Sequence, residues 1–306
     1  MISKIKVDGI ILVLSCNKYL NTRLKRFKLP KDAYGNWKVI YVIGNLFLDA
    51  DYKIDGNLMT IKCEDSYIHL LKKLVVALKH IYNLYDIKDG VLRCGDDLIF
   101  NEKLLQLFLN SIKSDFIGTS PTGKSLFNKN ITANMLKATR YDNFMLHYYA
   151  SHPEDFVNPL HNLKGVDIGK YIKRPNIEVG PAGIIYYISN KSCKILIGHM
   201  ENIKYNIFHF DTFSQSYPYT IEDCAVPYIL YCNKITFIHL DNMYLNYPSD
   251  NAIVYHTNGN SSNIITKPFP KPIPTPQPKI DWWTKTSNNL AQPFPKVDWW
   301  TKKQLS

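Results

Sequence analysis

The sequence predicts an α/β protein: one domain with a mainly parallel central sheet, helices on its faces, and an extended proline-rich C-terminal tail. Three observations lead there. Continuous apolar runs at 9–16 and 37–43 have the pattern of strands buried on both faces. Strand-like and helix-like segments alternate as far as residue 112, the order that builds parallel sheets with crossover helices. From about residue 261 the chain turns proline-dense.

Taken in order, 9–16 (GIILVLSC) is the first strand, and the basic stretch after it carries Arg23 and Arg26. The second strand, 37–43 (WKVIYVI), ends at Gly44, and 58–63 is a third candidate. Asp65 or Ser66 is placed to cap a helix running to about Tyr85. Along it Ile68, Leu71, Val75, Leu78, Tyr82 and Tyr85 recur at three- and four-residue steps, and Leu70, Leu74, Ala77, Ile81 and Leu84 widen that face. A strand at 90–94 and a helix at 101–112 follow. The stretch 119–173 has weak periodicity and is expected to hold loops and partial helices, while 183–189 and 235–240 read as later strands. The boundaries are therefore a domain over 1–260 and a tail over 261–306.

The tail begins with KPFPKPIPTPQ at 267–277, too rich in proline to join a core. It carries the sequence's internal repeat, PKIDWWTK at 278–285 and PKVDWWTK at 295–302. A tryptophan pair is costly to leave in water, so each copy is expected to dock on the chain's own domain, on a second copy, on a partner or on a sugar.

Of the 306 residues 45% are hydrophobic and 21% charged, the composition of a globular protein with a real core. The net charge of +11 suits phosphate-bearing ligands. It is spread along the chain with only a mild cluster at 23–28, so a nucleic-acid partner is not expected. Cys16, Cys63, Cys94, Cys193, Cys224 and Cys232 form no CxxC pair and suggest neither a metal site nor a disulfide framework. The charged first nine residues do not resemble a signal peptide, and no run nears the roughly 18 apolar residues of a membrane span. A soluble, intracellular protein is expected.

The strongest chemical signal is Arg93-Cys94-Gly95-Asp96-Asp97-Leu98-Ile99-Phe100-Asn101. Adjacent carboxylates directly after a buried strand stand where open α/β sheets bind ligands. They repel one another unless a cation lies between them, and Mg²⁺ or Mn²⁺ held jointly with phosphate oxygens fits. The plain alternative is a solvated turn with Asp97 or Asn101 capping the next helix. Four patches in order resemble the β-1,3-galactosyltransferase, N-acetylglucosaminyltransferase and fringe family of GT-A type glycosyltransferases. Arg93, Gly95, Asp96, Asp97 and Asn101 fall on its lysine, acidic triplet and asparagine. Asp65, Ser66, Tyr67, Leu70 and Lys73 resemble its Asp-Ser-Tyr helix, with His69 in place of an asparagine. GPAGIIYYIS at 180–189 is similar to its acceptor-side loop and strand, and Glu222-Asp223-Cys224 to its Glu-Asp-Val segment.

The resemblance implies a Rossmann-like GT-A domain over 1–260 and an inverting, metal-dependent hexosyltransferase. Its donor would be a nucleotide diphosphate sugar, UDP by the family's habit. Its acceptor would be a glycan, a glycoprotein or a small molecule. Asp97 would be the main metal ligand with Asp96 beside it, His256 a further ligand, Asp223 the general base and Glu222 its orienting neighbour. Ser15, Arg23 and Arg26 follow the first strand where the nucleotide would lie, and Asp65, Lys73 and Arg93 complete the donor side. Gly95 departs from the triplet's first aspartate, and the family's membrane anchor and lumenal cysteines are missing.

Two other classes compete. The stretch 118–125, GTSPTGKS from Gly118 to Ser125 with Lys124, matches the P-loop pattern of an ATP- or GTP-hydrolysing enzyme or kinase, and 237–241 (FIHLD) has the form of a Walker B strand. A non-catalytic sugar-nucleotide-binding scaffold is allowed by Gly95 and by the tryptophan repeats, although a pure binder has no need of a base such as Asp223.

Overall fold

The computed structural model describes residues 3–27, 29, 34–127, 131–177 and 180–256. The expected tail over 261–306, with both tryptophan repeats, lies outside the described residues.

Strand β1 (Ile5–Val7) runs into β2 (Gly9–Leu14), all six of whose residues are buried, and a short helix α1 (Arg23–Arg26) follows. Next come β3 (Trp37–Gly44) and the hairpin of β4 (Tyr52–Asp55) and β5 (Leu58–Ile61), turned at Gly56 with φ +58. Helix α2 (Leu70–Leu84) leads into β6 (Tyr85–Ile87), β7 (Gly90–Cys94), β8 (Leu98–Phe100), α3 (Glu102–Asn110) and β9 (Phe116–Gly118). The middle is built from short pieces: α4 (Ala133–Leu136), β10 (Ala138–Tyr141), α5 (Asn143–Ser151), α6 (Glu154–Val157), α7 (Ile168–Tyr171) and β11 (Lys173–Pro175). The chain then makes β12 (Ile185–Ser189), α8 (Asn190–Asn202), α9 (Glu222–Cys232), β13 (Ile238–His239), β14 (Tyr244–Leu245) and β15 (Val254–His256).

Eight strands form the central sheet in the order β13-β9-β12-β7-β2-β3-β5-β4. The pairs β7–β2, β2–β3, β3–β5 and β13–β9 are parallel, whereas β12 runs antiparallel to both β7 and β9 and β4 to β5. Alternate residues of β2 feed opposite cores, as the two-residue period of a strand requires. Ile10, Leu12 and Leu14 join the core under α2, α8 and α9, while Ile11 and Val13 join that under α3 and β15. Both faces are thus covered, which is why these strands read as continuous apolar runs.

Two local expectations need correction. Ser66 stands extended before a 3₁₀ turn at Tyr67–His69, but its hydroxyl bonds His69 Nδ1 at 2.6 Å and caps no backbone N–H. Asp65 does not cap the helix either, because its oxygens accept the amides of Asn17 and Gly44.

The P-loop alternative is not favoured. Phosphate cradling needs a helix N-terminus behind the glycine-lysine-serine run. Here residues 119–127 make a turn closed by Gly123 N–H to the Ser120 carbonyl at 3.0 Å. The Ser125 hydroxyl then accepts the His239 amide at 2.8 Å, and the next described helix begins only at Ala133. Lys124 is exposed, and the would-be Walker B Asp241 is 95% exposed and bound to His239 Nε2.

The six cysteines are free, and no described helix is long and apolar enough to cross a membrane.

Candidate active site

The parallel strands β2, β3 and β7 end at Leu14, Gly44 and Cys94, and β12 begins at the same edge with Ile185 opposite Cys94. Ser15, Asp96, Asp97 and Gly183 therefore collect outside the carboxyl ends of the strands, where open α/β sheets hold ligands.

On the β2 side, Asp65 is the hub. Its carboxylate accepts the Gly44 amide at 2.8 Å and the Asn17 amide at 2.5 Å, and it pairs with Lys73 Nζ at 2.6 Å. Gly44 has to be glycine, since a Cβ there would stand 2.9 Å from Asp65 Oδ1. Lys73 is wholly buried and also donates to the Ser15 carbonyl at 2.8 Å. A buried charge is tolerable only when paired and hydrogen-bonded, and both members meet that condition. Asp65 and Lys73 thus act on the edge through Ser15, whose hydroxyl donates to Asp96 Oδ2 at 2.6 Å.

Asp96 and Asp97 stand side by side at the end of β7. Arg23 Nη1 lies 3.8 Å from Asp96 Oδ1 and 3.6 Å from Asp97 Oδ2, with its guanidinium 4.0 Å over the Tyr19 ring. Burial raises the Asp96 pKa; the Ser15 hydrogen bond opposes this, Asp97 adds to it and Arg23 opposes it. His256 reaches this group because β15 pairs antiparallel with β8, His256 opposite Leu98, which brings Nδ1 to 3.9 Å from Asp97 Oδ2. A Cβ at Gly95 would lie 3.1 Å from Asp97 Oδ1, a contact that a small shift of the Asp97 side chain would relieve. Asn101 is the α3 cap, as the plain alternative held: Oδ1 accepts the Leu104 amide at 3.2 Å. Arg26 is exposed on α1 and makes no ion pair among the described residues.

Glu222 and Asp223 open α9 at the same edge. Arg93 Nη2 meets Glu222 Oε2 at 3.0 Å, Arg93 Nη1 donates to the Gly183 carbonyl, and the Tyr186 hydroxyl donates to Glu222 Oε1. The Arg93 Nε finds no partner among the described residues. Burial pushes the Glu222 carboxyl above its usual range, with Arg93 and Tyr186 pulling against it. Asp223 remains a quarter exposed, and its Oδ2 lies 3.5 Å from Arg174, which also pairs with Asp142 at 3.4 Å. Burial raises the Asp223 pKa, Arg174 opposes it and Asp142 adds to it. Gly183 lets this carboxylate in, since a Cβ there would lie 2.8 Å from Asp223 Cβ. Pro227 lacks an N–H for the carbonyl four residues back, which loosens the helix at Asp223.

Arg93 therefore ties the strand that leads into Asp96 and Asp97 to the buried Glu222, whose neighbour Asp223 is partly open to solvent and has a raised proton affinity. A partly solvent-open carboxylate whose proton affinity is raised is a better proton acceptor than an ordinary one. Sequence reasoning missed Asp142 and Arg174, and it placed Tyr67 in the Asp-Ser-Tyr patch without a role. Asp142 looks like an ordinary helix cap and does cap α5, its Oδ1 accepting the Met145 amide at 2.9 Å. Arg174 sits on a three-residue strand with no motif around it. Tyr67 is 41% exposed and packs on Tyr148 and Phe144, and burial followed by the Asp223 charge raises its hydroxyl pKa.

Among the described residues no three His, Cys, Asp or Glu side chains stand close enough to hold a metal by themselves. One carboxylate completed by phosphate oxygens and water is the usual arrangement for Mg²⁺, which Asp97 fits, whereas the imidazole of His256, 3.9 Å from Asp97 Oδ2, is a ligand for softer divalent ions.

No protein-family model matches the sequence, and a search of curated proteins finds no match. Among solved structures, mouse xyloside xylosyltransferase 1 in its apo form is similar at 8% sequence identity and a TM-score of 0.36, the match covering 84% of this chain and 99% of that one.

Proposed function

We propose that this chain is a metal-dependent, inverting glycosyltransferase. It moves a sugar from a nucleotide diphosphate donor, a UDP-sugar, to a hydroxyl of a glycan, glycoprotein or small-molecule acceptor. The observation that carries the reading is that Asp96 and Asp97, which follow β7, and Glu222 and Asp223, which open α9, stand at one sheet edge, with Arg93 of β7 paired to Glu222. The fringe-like resemblance rests on the four sequence patches alone.

In this reading Asp97 and His256 would hold Mn²⁺ or Mg²⁺ with Asp96 beside them, and the chemistry such an ion would supply is neutralisation of charge on the diphosphate leaving group. Arg23 leaves its carboxylates for a phosphate oxygen, a role that its planar fork suits. Ser15 keeps Asp96 oriented, with Asp65 and Lys73 fixing the turn behind it. Asp223 takes the proton of the acceptor hydroxyl as the new carbon–oxygen bond forms on one face of the anomeric carbon. The bond to the diphosphate breaks on the other face. Glu222, fixed by Arg93 and Tyr186, positions the start of α9, and Arg174 steadies Asp223. The catalytic domain spans 1–260, with 261–306 as a docking tail.

The test is release of UDP from a panel of UDP-sugars with Mn²⁺, with and without acceptor sugars. Asp223→Asn is expected to lose turnover while still binding UDP; turnover equal to the parent chain would remove Asp223 from the mechanism.

A further inference from the structure

Adjacent residues of a strand face opposite ways. On β11, Arg174 reaches Asp223 while Lys173 lies with its Nζ 5.2 Å over the Tyr141 ring. On the Lys173 side a cavity of about 240 Å³ is lined by Lys137, Lys170, Lys173, Phe210, Gln215 and Tyr217, among others, and by no aspartate or glutamate. None of the three lysines has a carboxylate partner among the described residues, so three like charges surround one cavity with no described carboxylate paired to them. Such an arrangement favours an anion.

The rim is built. Lys170 Nζ is held 5.2 Å over the Tyr171 ring and 5.3 Å over the Tyr217 ring. The turn that carries Gln215 is closed by Asp211 N–H to the Ser216 carbonyl at 2.9 Å. Asp211 Oδ1 braces it further, accepting the Ser214 amide at 2.7 Å and the Tyr228 hydroxyl at 2.5 Å. This bracing sets Gln215 at φ +50, a left-handed conformation that a residue with a side chain adopts only when its surroundings enforce it. Phe210, in the same lining, is 46% exposed and packs T-shaped on Tyr217 at 5.2 Å between ring centroids.

We propose that this pocket binds the acidic group of an anionic saccharide, a uronate carboxylate or a sugar phosphate, with the sugar ring against Phe210. Single-stranded nucleic acid is the weaker fit. Its recognition needs cations strung along a groove and aromatic faces free for base stacking. Here the lysines ring one cavity, and Lys170 already covers Tyr171 and Tyr217. The site goes beyond the transferase reading and does not depend on it.

The experiment is isothermal titration of the full chain, in EDTA, with trigalacturonic acid, glucose 6-phosphate, maltotriose and a ten-nucleotide thymidine oligomer. Parallel titrations use Lys170→Gln, Lys173→Gln and Asp97→Asn. The expected result is binding of one or both acidic saccharides, weakened about tenfold by either lysine substitution, as loss of a charge-assisted contact implies, and unchanged in Asp97→Asn. Preference between the first two ligands names the acidic group. Equal binding of maltotriose, stronger binding of the oligonucleotide, no binding, or binding lost in Asp97→Asn but kept in the lysine variants would overturn the proposal. Melting temperatures close to the parent's keep misfolding from imitating the expected loss.

Discussion

Arg93 and Glu222 lie 129 positions apart in sequence and meet at 3.0 Å, both buried, with the Tyr186 hydroxyl on the far oxygen of the same carboxylate. This contact fixes the end of β7, which carries Asp96 and Asp97, against the start of α9, which carries Asp223.

Removing one side of that pair strands a buried charge. Arg93→Met is expected to cost about 3–5 kcal/mol in denaturant unfolding, and adding Glu222→Gln to recover more than half of it, since Tyr186 can still donate to the amide oxygen. If the double variant is as unstable as the two single losses added together, the two residues do not act as a pair.

Asp223 gives a pH signature. Its folded pKa is raised, so the folded chain holds that proton more tightly than the unfolded chain. The associated stability is full below the unfolded pKa and lost as pH rises through the folded value. At pH 7.5 the ionised carboxylate is a net cost, and Asp223→Asn should melt a few degrees higher than the parent, with the difference vanishing toward pH 4. A lower melting temperature at pH 7.5 would show that Arg174 outweighs burial.

Arg23 stands where a cation would neutralise Asp96 and Asp97. Arg23→Ala should bind Mn²⁺ alone several-fold more tightly yet bind UDP with Mn²⁺ about tenfold more weakly, because a phosphate contact is lost. Calorimetry separates the two, and a parallel change in both would contradict the exchange.

Gly183 admits Asp223 by lacking a side chain. Gly183→Ala is expected to displace the carboxylate and lower kcat about a hundredfold, the scale of an ångström misplacement, with UDP binding intact. Unchanged turnover would mean that Asp223 works from another position.

Much of the sheet was legible because buried strands announce themselves: β2, β3, β7 and β12 all come from continuous apolar runs. The antiparallel placement of β12 was not, since an apolar run carries no direction. β8 was missed because three residues between an acidic pair and a helix cap offer no periodicity, yet β8 is what brings His256 to Asp97. Asp65 and Lys73 were legible as charged residues around a helix start. Their burial was not, because it depends on the Ser15 and Gly44 backbone arriving from other strands. GTSPTGKS is the opposite case: the residue types match the P-loop pattern, but no helix follows Ser125 among the described residues before Ala133.

The most direct test of the central claim is calorimetric titration of UDP with and without Mn²⁺ into the parent chain, Asp97→Ala and Lys124→Ala. The account predicts Mn²⁺-dependent binding that Asp97→Ala abolishes and Lys124→Ala leaves intact. Binding that ignores Mn²⁺ and Asp97, or that depends on Lys124, would contradict it.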